Sequence, residues 1–259
     1  MAASSASWRA PPATCQSVED PLPSNTVPML ATRKKKGPET PFVTPDQMVT
    51  FEIGPDKQKF LIHKEIACQA SPVFEKAFNS NFEEGQTQTY KLEDVEPDTF
   101  RFFSKWMYSQ KLSLLEHDID TVYARAMGED DQHSEKCVMQ DYLLAELWIL
   151  GDRLFMKSLQ NYVMQDMVAT GHACGSMDYA CLPIIYRNTL TGSPLRRLVV
   201  DQYAWGSVPL SARATTYPPE MLLELAELYY NAAPKSVKSR KLSEIVEANY
   251  LITEEEEGS

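Results

Sequence analysis

No stretch of this sequence reaches the roughly 18 consecutive apolar residues that a membrane span requires. The first 27 residues hold no apolar run of signal-peptide length and one basic residue, Arg9. Cysteine is sparse: Cys15, Cys68, Cys137, Cys174 and Cys181 are odd in number and too scattered for a metal knuckle or a secreted disulfide framework. Positive charge is also short, with 25 basic residues against 36 acidic ones and a net charge of -11. Such a chain repels phosphate backbones, so direct nucleic-acid binding is not expected. No Gly-rich phosphate loop, nucleophile elbow or HExxH motif appears. The expectation is a soluble intracellular protein, cytoplasmic or nuclear, with no catalytic residue, cofactor or metal.

What remains is ordinary globular material, 43% hydrophobic and 10% aromatic, preceded by an unlike segment. Residues 1–41 are rich in Ala, Ser, Pro and Thr and bury too little to offset their ordering entropy, so they read as disordered. Within them lies the only basic cluster, Arg33, Lys34, Lys35 and Lys36, a candidate nuclear localisation signal or a solvated charge run. From Val49 the pattern alternates, and 48–53 with 58–62 predict a β-hairpin around Gly54-Pro55-Asp56. Residues 64–69 predict a short helix, and Ser71-Pro72 caps and opens another that faces inward through Val73, Phe74, Ala77 and Phe78. A strand is expected over 87–92. Glu96-Pro97 then starts a strong helix to about Tyr108, its stripe being Phe100, Phe103, Trp106 and Met107.

The segment from about 116 to 137 is rich in acidic residues and reads as a solvated loop, with a short helical piece around 121–127. Helical pattern returns at Met139 with Leu143, Leu147, Leu150 and Leu154 on one stripe. Gly151-Asp152 is expected to divide it, Asp152 capping a second helix that buries Phe155, Leu159, Tyr162, Val163 and Met167. Further helices are expected over 177–190, 194–204, 219–232 and 235–250, with Leu222, Leu225, Leu228 and Tyr229 as one apolar face, before an acidic tail at 251–259.

Five stretches occur in an order similar to that of the BTB/POZ domain, in particular the type common in fungal proteins. They are Phe60-Leu61-Ile62-His63-Lys64 with Ala70-Ser71-Pro72-Val73-Phe74, then Phe82-Glu83-Glu84, then Leu92-Glu93-Asp94 leading to Pro97, Phe100 and Trp106-Met107-Tyr108. Leu147 to Leu154 and Leu159-Gln160-Asn161 complete the series. The resemblance implies an α+β fold, a small sheet packed on helical hairpins, over about 42–170, with an all-α extension over 171–250. It also implies a non-catalytic protein-interaction module, a scaffold or oligomerisation domain able to form a homodimer. Some members of that family join substrates to a cullin-3 ubiquitin ligase. Their cullin-facing helix corresponds to the one here that carries Phe100, Phe102 and Tyr108, the candidate partner-binding residues. Where the family often has a hydrophobic-x-Glu pattern, this chain reads Phe100-Arg101-Phe102. A nuclear transcription co-regulator is a further alternative, resting on Arg33 to Lys36.

His63 sits at a strand-to-helix junction, and a structural role bonding local backbone is expected of it. His172, Cys174 and Cys181 have suitable chemistry for zinc but not the spacing of a standard site, so they read as ordinary packing residues. Glu129-Asp130-Asp131 lacks the glycine and spacing of a calcium loop.

Overall fold

The structure, a computed structural model, describes residues 43–115, 131–174, 177–205 and 216–234. The alternating start folds as expected. β1 (Met48–Ile53) and β2 (Gln58–His63) pair antiparallel, with Phe51 opposite Phe60. The reversal uses positive φ at Gly54 (72°) and Lys57 (53°). Val49, Phe51 and Ile53 point into the core while the intervening residues are half exposed. β3 (Thr89–Leu92) lies parallel to β1 on its other side, giving the order β2-β1-β3. Parallel neighbours need a crossover, and three short helices supply it: α1 (Lys64–Ala70), α2 (Pro72–Phe78) and α3 (Glu83–Thr87). Residues 87 and 88 were expected in the strand. Thr87 instead closes α3, and Gln88 takes a left-handed conformation at its end.

Pro97 opens α4 (Pro97–Ser109), which buries Thr99, Phe100, Phe103, Trp106 and Met107. Phe51 is the hub of this half of the core, its ring lying 5.0 Å from Phe74, 5.7 Å from Phe78 and 5.2 Å from Phe100. Edge and tilted ring contacts of this kind add stability beyond the area they bury.

Two long helices follow, and their division differs from expectation. α5 (Asp131–Arg153) begins inside the segment read as a loop and runs straight through Gly151. The break falls at Leu154–Met156, before α6 (Lys157–Cys174). Phe155 N–H bonds to Asp152 O at 3.2 Å and Met156 N–H to Gly151 O at 2.8 Å, with Phe155 at φ 53°. This is the Schellman pattern of a helix end. Asp152 therefore lies inside the last turn and caps nothing. Phe155 occupies the left-handed corner, 71% exposed, instead of lining the core. The expected helical piece at 121–127 lies outside the described residues.

The later elements are a 3-10 turn (Tyr179–Cys181), α7 (Leu182–Asn188), α8 (Pro194–Ala204) and α9 (Pro219–Ala232). Proline stands in the first turn of each of the three α-helices, where its missing N–H breaks no bond. The buried face of α9 is Met221, Leu225 and, in part, Leu228, whereas Leu222 and Tyr229 are each 40% exposed. The expected helix at 235–250 lies outside the described residues. Met177, Cys181, Leu182, Ile185, Leu195, Val199 and Met221 join the same hydrophobic cluster as the sheet and α4. The fold is thus α+β, a three-stranded sheet covered by helices and continued by an all-helical part.

Candidate functional site

The three candidate surface residues of α4 have different fates. Phe100 is fully buried, ringed by Phe51, Phe60 and Phe103, so it offers nothing to a partner. Its position in the sequence pattern belongs to the core stripe, and core packing takes the whole side chain. Tyr108 is exposed, but its hydroxyl accepts the His63 backbone N–H at 3.1 Å and lies 2.8 Å from His63 Nδ1. It therefore ties α4 to the end of β2. His63 is held by this tyrosine side chain, 45 residues away in sequence. Phe102 is half-buried and lies in a groove. Arg33 to Lys36 lie outside the described residues.

That groove, about 780 Å³, runs between α4, the segment at 113–115, and the middle of α5. Its lining is mainly apolar: Phe102, Leu114, Leu115, Val138, Met139, Tyr142 and Leu143. On α5 the spacing explains it. Met139, Tyr142, Leu143 and Glu146 recur at offsets of three, four and seven, so they share one helix face. Cys137, Asp141, Leu144, Ala145 and Trp148 occupy the opposite side and are buried. Met139 is 73% exposed and Tyr142 40%. Gln140 pins the 113–115 segment by accepting the Leu115 N–H at 2.6 Å.

Polar groups gather toward one end of the groove. Glu96 and Asp98 flank the start of α4, and Glu146 comes from α5. The Thr99 hydroxyl donates to the Glu146 carboxylate. Burial pushes the Glu146 carboxyl above its ordinary range; Thr99 opposes this, and the charge of Glu96 adds to it. The Tyr142 phenol is likewise raised, first by burial and then by Glu146.

Sequence reading missed the stripe on α5 because it placed Leu143 with the buried leucines. The detectable signal was Met139 one turn before Leu143 on the same stripe, with Tyr142 beside them. The other sequence candidates lie elsewhere. Of His172, Cys174 and Cys181, only the Cys181 side chain is described; it is fully buried, and burial raises its thiol pKa. Among the described residues, no group of His, Cys, Asp and Glu could hold a metal ion. No helix among them is long and apolar enough to cross a membrane.

The BTB/POZ domain family model matches residues 44–128, the span that holds the sheet, α1 to α4 and one wall of the groove. Residues 44–128 are a BTB/POZ domain. The BTB/POZ domain is a protein-interaction module. Kelch-like protein 40 from Xenopus tropicalis is 29% identical over 69 residues, covering 27% of this chain and 11% of that protein. The match thus spans only a small part of this relative's length. Among solved structures, the BTB domain of zebrafish PATZ1 is similar at 16% identity and a TM-score of 0.30, covering 47% of this chain and 75% of that one. The BTB domain of human gigaxonin is similar at 17% identity and a TM-score of 0.28, covering 45% and 74%.

Proposed function

We propose that this chain is a non-catalytic scaffold or oligomerisation module that docks protein partners in the α4–α5 groove. In this reading the BTB/POZ part extends to about residue 170 and the helices over 171–250 are its extension. The observation that carries it is the apolar stripe of Met139, Tyr142 and Leu143 facing Phe102, with Glu96, Asp98, Lys136 and Glu146 also lining the groove. An apolar patch with a polar surround is the usual anatomy of a binding surface.

Met139→Arg tests this, because it puts a charge into the groove at a site too exposed to matter for folding. Partners recovered with the full chain should drop out with the variant, while its melting temperature stays unchanged. An unchanged partner set would defeat the groove reading. Light scattering of the same pair of proteins reports whether one partner is a second copy.

Adaptor function with cullin-3 ranks second, because Phe102 stands where an acidic residue often helps. A pull-down of the full chain against a cullin-3 N-terminal domain tests it, and no binding at about micromolar concentration sinks it. A nuclear co-regulator role predicts that Ala at Lys34, Lys35 and Lys36 moves a fluorescent fusion out of the nucleus.

A further inference from the structure

The charge at the groove narrows what can enter it. From Lys136 to Glu146 the groove follows α5 for about 15 Å, or roughly three helical turns. Among the described residues, Lys136 is the one cation in its lining and sits at the α5 start of that path, and three carboxylates gather toward Glu146. Asp98 is already paired with Arg101, and Arg153, two turns beyond Glu146 on α5, is paired with Asp94. Among the described residues, no Lys or Arg pairs with Glu96 or Glu146. Glu146 is held in place by Thr99, so its carboxylate is fixed beside the apolar lining rather than free to swing into water. Two carboxylates near each other at the end of an apolar trough leave a gap in charge that an incoming cation fills.

We infer that the groove accepts an amphipathic helical segment of a partner protein that presents one Lys or Arg to Glu146 and Glu96. This rests on the groove reading above and adds its selectivity. The apolar face of such a segment covers Phe102, Leu114, Met139 and Leu143, and its basic side chain relieves the repulsion between the two glutamates. A segment with an acidic residue at the same place meets like charge in a partly dry setting and is rejected.

The test uses the full chain and a displayed library of helical peptides of about 16 residues, with Met139→Arg for counter-selection. Peptides that need the groove should carry Lys or Arg at one fixed position within an apolar i, i+3, i+4, i+7 frame. The best of them should bind E146Q about tenfold more weakly, and E96Q/E146Q more weakly still. Neither variant should melt below the parent, since each removes a carboxylate whose charge the fold disfavours. Groove-dependent peptides without a preferred basic position, or with affinity unchanged on E146Q, overturn the inference while leaving the groove reading intact. Peptides that bind Met139→Arg equally well overturn both. So does recovery of no groove-dependent peptide, which means the groove is already filled in solution by this chain or a second copy.

Discussion

The Ser71 hydroxyl serves the start of one helix and a distant carbonyl at once. It accepts the Val73 and Phe74 N–H groups at 3.1 and 3.5 Å, capping α2, and donates to Leu154 O at 2.8 Å. The residue has no exposure to water. Ser71→Ala thus leaves a buried carbonyl and helix-end N–H groups without partners, a loss of about 2–3 kcal/mol measurable by denaturant unfolding. The cap was legible in the sequence from Ser-Pro. The bond to Leu154 was not, because it joins residues 83 positions apart. Glu146 makes a pH prediction at the same scale. Its carboxyl pKa is raised in the fold, so the native state holds the proton more tightly than the unfolded chain does. Stability from this group is therefore greatest when it is protonated, and falls as pH rises from the ordinary Glu value through the raised one. Glu146→Gln should flatten that part of the stability–pH curve, read by denaturant melts across the acidic range. A curve with the same slope in the variant would show that the burial of Glu146 has no such effect.

At the scale of elements, the corner between α5 and α6 shows why some features could be read and others not. Elements set by strong local chemistry are where the pattern put them: the hairpin, α2 behind Ser71-Pro72, α4 behind Pro97. Gly151-Asp152 looked like a break because glycine ends helices, yet Gly151 stays helical, packed against Leu159 and Gln160. The turn instead uses Phe155 in a left-handed conformation, a choice of phenylalanine that local propensity does not anticipate. Such a conformation is costly for a side chain with a Cβ. Phe155 is too exposed to recover that cost by burial. Phe155→Gly should raise stability by about 0.5–1 kcal/mol, seen as a higher melting temperature. A fall would mean that the ring makes contacts worth more than the strain. The groove was illegible for a related reason: Met139 and Leu143 continue the stripe of Leu147, Leu150 and Leu154, which is buried further along the same helix.

Over the whole molecule, the helical extension is wired into α5 and α6. Asp141 of α5 accepts the Asp178 N–H at 3.0 Å. Gln202 of α8 accepts the Met177 N–H at 3.2 Å and donates to Met167 O of α6 at 3.5 Å. The extension itself is pinned by Arg196, which is 6% exposed. Its guanidinium donates to Tyr186 O at 2.7 Å and Thr189 O at 2.6 Å, stacks 4.3 Å from the Tyr186 ring, and pairs with Glu224 at 3.7 Å. Tyr186 donates to the other Glu224 oxygen at 2.6 Å, so α7, α8 and α9 meet at one network. Arg196→Ala strands a largely buried carboxylate and two carbonyls, with an expected loss of about 3–5 kcal/mol. The way that loss appears distinguishes two architectures. Trp106 and Trp148 report on the core around α4 and α5, both being 2% exposed, while helix content reports on every helix. If one core binds the chain into one cooperative unit, both signals shift to lower denaturant together in Arg196→Ala. If the extension folds by itself, part of the helix signal is lost early and tryptophan burial persists. The bonds from Asp141, Gln202 and the shared cluster predict the first outcome, because α5 cannot keep its Asp141 and Ala145 side covered once the 3-10 turn and α7 detach.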